Sequence, residues 1–172
     1  EHCLSLALAY PDLLGEADRL LVACQEKPLQ TEDLHRAEDQ ILLRAWRRWL
    51  QDTDQPAVRG AFYDTLDEHL KQRVALLVQV QENQPEVSET LLHNNVLDAF
   101  IRLRIQNLQR EIAALRFLLE DAAAGESAVR YGQQINQITA RIGRLQRAMD
   151  ERSVSGRRRR EDSRVRVPFT ET

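Results

Sequence analysis

Apolar residues recur at intervals of three or four along most of the chain, and no segment alternates apolar with polar residues. In the first half, four such segments carry Leu4 and Leu8, then Leu14 and Leu21, then Leu42 and Trp46, then Val58, Phe62, Leu66, Leu70, Val74 and Leu77. Intervals of three or four match the turn of an α-helix, whereas alternation would indicate strands. The pattern therefore predicts an all-α protein whose first half is a helical bundle, because each apolar face needs another to cover it.

Four prolines separate these segments, at positions 11, 28, 56 and 85. Proline lacks the backbone donor that a helix needs and restricts the residue before it, so each marks a break. Thr31 stands where it could cap the third helix through its hydroxyl. The fourth segment contains no further proline, and the pattern predicts one uninterrupted helix there.

The second half shows a heptad pattern instead of a broad apolar face. Apolar residues step by four and three in two series: Ile101, Ile105, Leu108, Ile112, Leu115, Leu119 and Ala122, and then Tyr131, Ile135, Ile138, Ile142, Leu145 and Met149. Such spacing is typical of helices that pair along a narrow seam. Between the two series, Gly125 is expected to end the first helix and Ser127 to cap the second.

The two series are in register when the chain folds back at Gly125. Leu119 would then face Tyr131 and Ile101 would face Met149, with four further layers between them. Each pair of residue numbers sums to twice the number of the glycine. The pattern thus predicts a long antiparallel helical hairpin with six apolar layers.

The predicted organisation has three parts. Residues 1–86 form the helical bundle, residues 87–152 the hairpin, and residues 153–172 a tail that we expect to be disordered. A second apolar stripe at the base of the hairpin is expected to dock it onto the bundle, and its members are Leu92, Val96, Phe100 and Leu103. The tail contains four consecutive arginines, Arg157–Arg160.

Charge and composition narrow the classes of function. The chain has 24 basic and 27 acidic residues, and residues 1–156 carry a net charge of −6. An acidic body is not expected to coat a polyanion, so nucleic acid is expected to bind, if at all, through Arg157–Arg160. No apolar run is long enough to cross a membrane. The single methionine lies far downstream, and we expect the chain to be a piece of a larger protein.

Few residues suggest a catalytic or metal-binding site. Cys3 and Cys24 are expected to be small buried residues in a reducing compartment, with a single bridge between the first two helices as the alternative. A Glu32–His35 pair matches half of a bundle metal motif that has no second copy. We therefore expect no catalytic residue, no metal, no cofactor and no small-molecule substrate.

Two tryptophans beside arginines have two interpretations. Trp46 and Trp49 stand among Arg44, Arg47 and Arg48, which could form a surface on which nucleic-acid bases stack. The alternative, which we favour, is that the tryptophans lie in the core of an amphipathic helix.

Several segments together resemble a known family. Four segments are similar to the C-terminal region of bacterial DnaG-type DNA primases. They are EHCLSLALAYPDLL at 1–14, LDAFIRLRIQNLQREI at 97–112, LRFLL at 115–119 and, on the returning helix, QQINQI at 133–138. The resemblance covers about residues 1–152. It rests on degenerate helical patterns in a shared order, and the arginine-rich tail departs from it.

The resemblance implies a bacterial, cytoplasmic, non-enzymatic domain that binds the N-terminal domains of the DnaB-type replicative helicase and recruits primase to the replication fork. The catalytic part of such a primase would lie elsewhere in the parent protein. The hairpin would carry the contacts, so the predicted partner-binding residues are Phe117, Gln137, Arg141, Arg144 and Arg147. The alternatives are the N-terminal domain of the helicase itself, which shares this architecture, and a helical module that binds nucleic acid through its tail.

Overall fold

The computed structural model describes residues 1–52, 59–82, 88–122 and 125–153. In these ranges it contains no strand, which confirms the all-α fold. The elements are α1 (His2–Ala9), α2 (Pro11–Ala23), a 3-10 turn (Thr31–Asp33), α3 (Ala37–Asp52), α4 (Arg59–Asp64), α5 (Glu68–Glu82), α6 (Glu89–Asp121) and α7 (Glu126–Arg152). No helix in the described ranges is long and apolar enough to span a membrane.

The chain divides into two compact units within α6. The first unit comprises Glu1–Gln109 and the second begins at Arg110. The boundary predicted at residue 86/87 marks where the long helix starts, whereas the compact units divide some twenty residues later. The reason lies in the base of α6: Val96 and Phe100 are fully buried in the core of the first unit.

Helix α1 lies at the centre of the first unit. Residues 4–8 are all buried, and the helix contacts α2, α3 and α5. A helix that is apolar around its whole circumference must be covered on every side. Its polar exception, Ser5, donates its hydroxyl to the carbonyl oxygen of His2 at 2.8 Å. The predicted stripe at the base of α6 completes this core, with Leu92 and Leu103 partly buried against it.

The single helix predicted for the fourth segment is wrong. The structure has two helices there, and the chain turns between them at residues 65–67. The Thr65 hydroxyl donates to the carbonyl oxygen of Phe62 at 2.6 Å, and the Asp67 carboxylate accepts from the backbone N–H of Leu70 at 2.8 Å. These bonds close α4 and open α5. Leu66 stays buried in the turn, so the apolar spacing continues across the break.

Two predicted caps are also wrong. Thr31 is not a cap; Gln30 precedes the 3-10 turn, and its backbone N–H donates to the Asp33 carboxylate at 2.7 Å. Ser127 lies inside α7, which begins one residue after Gly125 without a side-chain cap.

The second unit contains the end of α6 and all of α7. The predicted seam residues of α7 lie on the side of the helix that is shielded from solvent. Ile138 and Leu145 are buried, and the remaining seam residues of α7 are half-buried. The two helices are therefore confirmed, while their layer-by-layer pairing as a hairpin stays a prediction. The predicted tail lies outside the described residues from position 154 onward.

Candidate partner-binding surface

Three large apolar side chains are exposed near the end of α6 and the start of α7. Phe117 is 66% exposed, Leu118 45% and Val129 61%. We call these three residues the apolar tip. Phe117 points away from the seam as its spacing predicts. Large apolar side chains that remain exposed can mark an interaction surface.

The other predicted partner-binding residues lie along α7. Gln137 and Arg147 are exposed, whereas Arg141 and Arg144 are half-buried. Both half-buried arginines also take part in an interaction within the chain. At 100° per residue, Gln137, Arg141 and Arg144 share one face of α7, and Arg147 lies roughly 60° beyond Arg144. The structure thus brings three of the four together on one helix face.

A buried polar network anchors α6 in the first unit. Arg104 donates to the Asp33 carboxylate at 2.6 Å and to the carbonyl oxygen of Pro28 at 3.0 Å, with the Glu26 carboxylate 3.7 Å away. Asn107, one turn later, donates to the backbone carbonyl of Asp33 at 3.0 Å. Sequence reasoning missed this network, because Arg104 carries no signal that separates it from the exposed arginines nearby.

A second buried ion pair joins α3 and α5. Arg73 donates to both carboxylate oxygens of Asp39, at 2.8 and 3.0 Å, and to Glu1 at 3.1 Å. The hydrogen bond from Arg73 lowers the pKa of the Glu1 carboxyl, and the Asp39 bond raises the pKa of Arg73. The pair therefore connects α3 to α5 through buried, hydrogen-bonded charges.

Both cysteines are free, but only Cys24 is fully buried as expected. Cys24 is buried, and Cys3 is half-buried with its thiol 3.3 Å from the carbonyl oxygen of Ala99. Cys3 also lines a groove of about 500 Å³ beside Asp98 and Arg102. Burial raises the pKa of the Cys3 thiol to about 11. The thiolate is the nucleophilic form, so this cysteine is poorly suited to catalysis.

The tryptophans lie in the core, which confirms the favoured interpretation. Trp46 is fully buried, its indole N–H donates to the carbonyl oxygen of Ala7 at 2.9 Å, and its ring centre is 4.7 Å from that of Phe62. Trp49 is half-buried and its ring centre lies 6.1 Å from the same phenyl ring. Arg47 pairs with Asp18 at 2.7 Å. A base cannot stack on the ring of Trp46, which is fully buried.

Histidines and carboxylates are paired across the first unit without forming a metal site. His93 lies 2.6 Å from a Glu16 oxygen, and His69 lies 3.3 Å from Glu38. Within the described ranges, no three His, Cys, Asp or Glu side chains are grouped so that they could hold a metal ion.

Compared with protein-family models, curated proteins and solved structures, the chain shows no significant match.

Proposed function

We propose that this chain is a protein-interaction domain of a DnaG-type primase that binds the N-terminal domains of the DnaB-type replicative helicase. The sequence resemblance supplies the family and the partner. The exposure of Phe117, the largest side chain of the apolar tip, is the structural observation that carries the proposal.

Phe117 has the properties of an interface anchor. An aromatic side chain contributes a large apolar area with few rotatable bonds, and such residues dominate the binding energy of many interfaces. Leu118 and Val129 are the other exposed apolar side chains of this set. The exposed polar side chains of Gln137 and Arg147 on α7 fit the polar rim that usually surrounds such an anchor.

The helix that carries Phe117 suits this role. Phe117 follows Arg104 on the same uninterrupted helix, and Arg104 is bonded into the first unit. A binding residue on a helix is held more precisely than one on a loop.

The proposed mechanism is recruitment in the bacterial cytoplasm. Docking onto a helicase ring would raise the concentration of the tethered catalytic part of primase at the unwound strand, without any chemistry in this domain. A preference for one conformation of the ring would in addition shift the helicase towards that conformation.

The test is complex formation between this chain and the helicase of the same organism, measured by calorimetry and by size-exclusion chromatography. We expect a dissociation constant of roughly tens of micromolar or tighter. Absence of a complex in that range, with the chain folded by circular dichroism, would contradict the proposal. Binding to the isolated N-terminal domains of the helicase would locate the site on the partner.

A further inference from the structure

A groove of about 530 Å³ lies in the first unit, between the α1–α2 junction and the start of α6. Five half-buried residues form its apolar lining: Ala9, Tyr10, Pro11, Leu13 and Leu92. Its polar lining consists of the exposed residues Asp12 and Thr90 and the half-buried His93. Sites that bind small chemical groups are commonly built in this way, with a mainly apolar wall and a few polar groups that orient the ligand.

Asp12 differs from the other acidic residues of this region because its carboxylate is unpaired. Residues 1–39 contain nine acidic residues, and eight of them form an ion pair or a side-chain hydrogen bond. These eight are Glu1, Glu16, Asp18, Glu26, Glu32, Asp33, Glu38 and Asp39. Asp12 forms neither within the described part of the chain. Its place in the first turn of α2 favours the ionised carboxylate, so the groove presents an unbalanced negative charge.

The charges around the groove favour a cationic ligand. Glu16 follows Asp12 by one turn on the same helix, and one of its carboxylate oxygens is already 2.6 Å from the His93 ring. The whole first unit contains eleven basic and eighteen acidic residues, a net charge of −7, which repels anions and attracts cations. The described residues group no three metal-ligating side chains, so Asp12 lacks the companions that a metal ion requires. An organic cation is therefore the ligand that this groove suits.

We propose that this groove binds a lysine side chain presented by a partner protein. The ammonium pairs with the Asp12 carboxylate, and the four methylenes of the lysine pack along the apolar lining. Lysine commonly covers apolar surface with its stem while its charged end stays near water, which matches a groove with an exposed carboxylate. The ring of Tyr10 adds an aromatic face that attracts a cation.

A protein lysine fits the groove better than a free polyamine does. A polyamine carries further ammonium groups within or at the far end of its chain. In this groove those groups would lie against apolar residues, because Asp12 is the unpaired carboxylate in its described lining. The stem of lysine carries no charge. The inference does not depend on helicase binding, since the groove belongs to the first unit and the proposed helicase-binding residues belong to the second.

The test follows the backbone amide resonances of the full chain by NMR at pH 7 and 50 mM salt. The first probe is the peptide acetyl-Ala-Lys-Ala-amide. The matched control is acetyl-Ala-norleucine-Ala-amide, which has the same stem without the ammonium. We expect saturable shifts at residues 9–13 and 90–93, with a dissociation constant of about 10 mM or tighter for the lysine peptide. The norleucine peptide should bind about threefold more weakly, as the loss of one partly exposed ion pair predicts.

Matched substitutions locate the site. Asp12→Asn removes the charge and keeps the size of the side chain, and it should weaken binding of the lysine peptide about threefold without affecting the norleucine peptide. Asp64→Asn makes the same charge change at an exposed position in α4 and should leave both affinities unchanged. Raising the salt concentration should weaken binding of the lysine peptide alone, because an exposed ion pair is screened.

Three results would overturn the proposal. The first is equal binding of the lysine and norleucine peptides, which would make the groove a purely apolar site. The second is unchanged binding of the lysine peptide in Asp12→Asn. The third is that spermidine binds more tightly than the lysine peptide with the same dependence on Asp12, which would assign the groove to a polyamine. Preference for the lysine peptide, lost in Asp12→Asn and kept in Asp64→Asn, would support it.

Discussion

Arg104 donates to the carboxylate of Asp33 across 2.6 Å, and it does so in a site where both side chains are about nine-tenths buried. The bond ties the middle of α6 to a 3-10 turn more than seventy residues earlier in the chain. Glu26, also buried, lies 3.7 Å from the same guanidinium. One buried cation therefore lies against two buried carboxylates, and its removal has consequences that can be measured.

Removing Arg104 should strongly destabilise the first unit. Arg104→Met keeps most of the side-chain volume but leaves the buried Asp33 carboxylate without the cation that bonds to it. Breaking a buried pair in this way typically costs about 3–5 kcal/mol. Urea denaturation should show that loss in the free energy of unfolding. Arg102→Met, two residues earlier and exposed, is the control and should change stability by less than about 0.5 kcal/mol. A loss below about 1 kcal/mol for Arg104→Met would contradict the assigned role.

Truncating Phe117 should weaken helicase binding without affecting the fold. Phe117→Ala removes the anchor of the apolar tip, and we expect a loss of binding free energy of about 1 kcal/mol or more, or at least fivefold in dissociation constant. Leu76→Ala removes an apolar side chain that is 54% exposed in the first unit, and it should leave binding unchanged. Calorimetry on both folded variants makes the comparison. Equal affinities would remove Phe117 from the interface.

The two tryptophans should respond differently to the same substitution. Trp46→Phe leaves the buried carbonyl oxygen of Ala7 without its donor, at a cost of about 1–3 kcal/mol in addition to the lost packing. The indole N–H of Trp49 has no hydrogen-bond partner among the described residues, so Trp49→Phe removes a buried donor that gains nothing from its position. Thermal unfolding should therefore show the larger decrease for Trp46→Phe. The reverse order would show that the bond to Ala7 contributes little.

The Cys3 thiol should react slowly with alkylating reagents. A pKa raised to about 11 by burial leaves far less thiolate at pH 8 than the ordinary value of 9.0 would. In a Cys24→Ala variant, we expect iodoacetamide to modify Cys3 at least tenfold more slowly than it modifies the urea-unfolded chain. Folding favours the neutral thiol, so its contribution to stability is complete below pH 9 and is lost as the pH rises towards 11. Modification at equal rates in both states would rule out this protection.

Asp67 should stabilise the start of α5. Its carboxylate accepts from the backbone N–H of Leu70 at 2.8 Å, and loss of such a cap costs about 1 kcal/mol. Asp67→Ala should lower the free energy of unfolding by that amount in urea titration. Asp64→Ala, an exposed acid in the last turn of α4, is the matched control. If both variants lose the same stability, the effect belongs to charge rather than to capping.

The break between α4 and α5 shows where prediction of helices from apolar periodicity fails. Leu66 is buried inside the turn and keeps the apolar spacing intact, so the pattern continues where the helix does not. Periodicity reports which side chains are buried, and a short turn can bury a leucine as well as a helix can. The bonds that close α4 and open α5 come from Thr65 and Asp67. Both residue types favour helix ends but also occur on exposed helix faces, so their presence alone does not locate a break.

The sequence by itself determined the helical class, the heptad spacing of α6 and α7, and the exposure of Phe117, because each follows from local periodicity along a single helix. Tertiary structure alone decided that Arg104 and Asp33 meet, that Trp46 reaches the carbonyl of Ala7, and that α6 is shared between two compact units. These are contacts between residues dozens of positions apart, and their formation depends on how helices pack around α1. A charged residue on a helix has the same local pattern whether it faces solvent or a buried carboxylate. Only packing distinguishes Arg104 from its exposed neighbour Arg102.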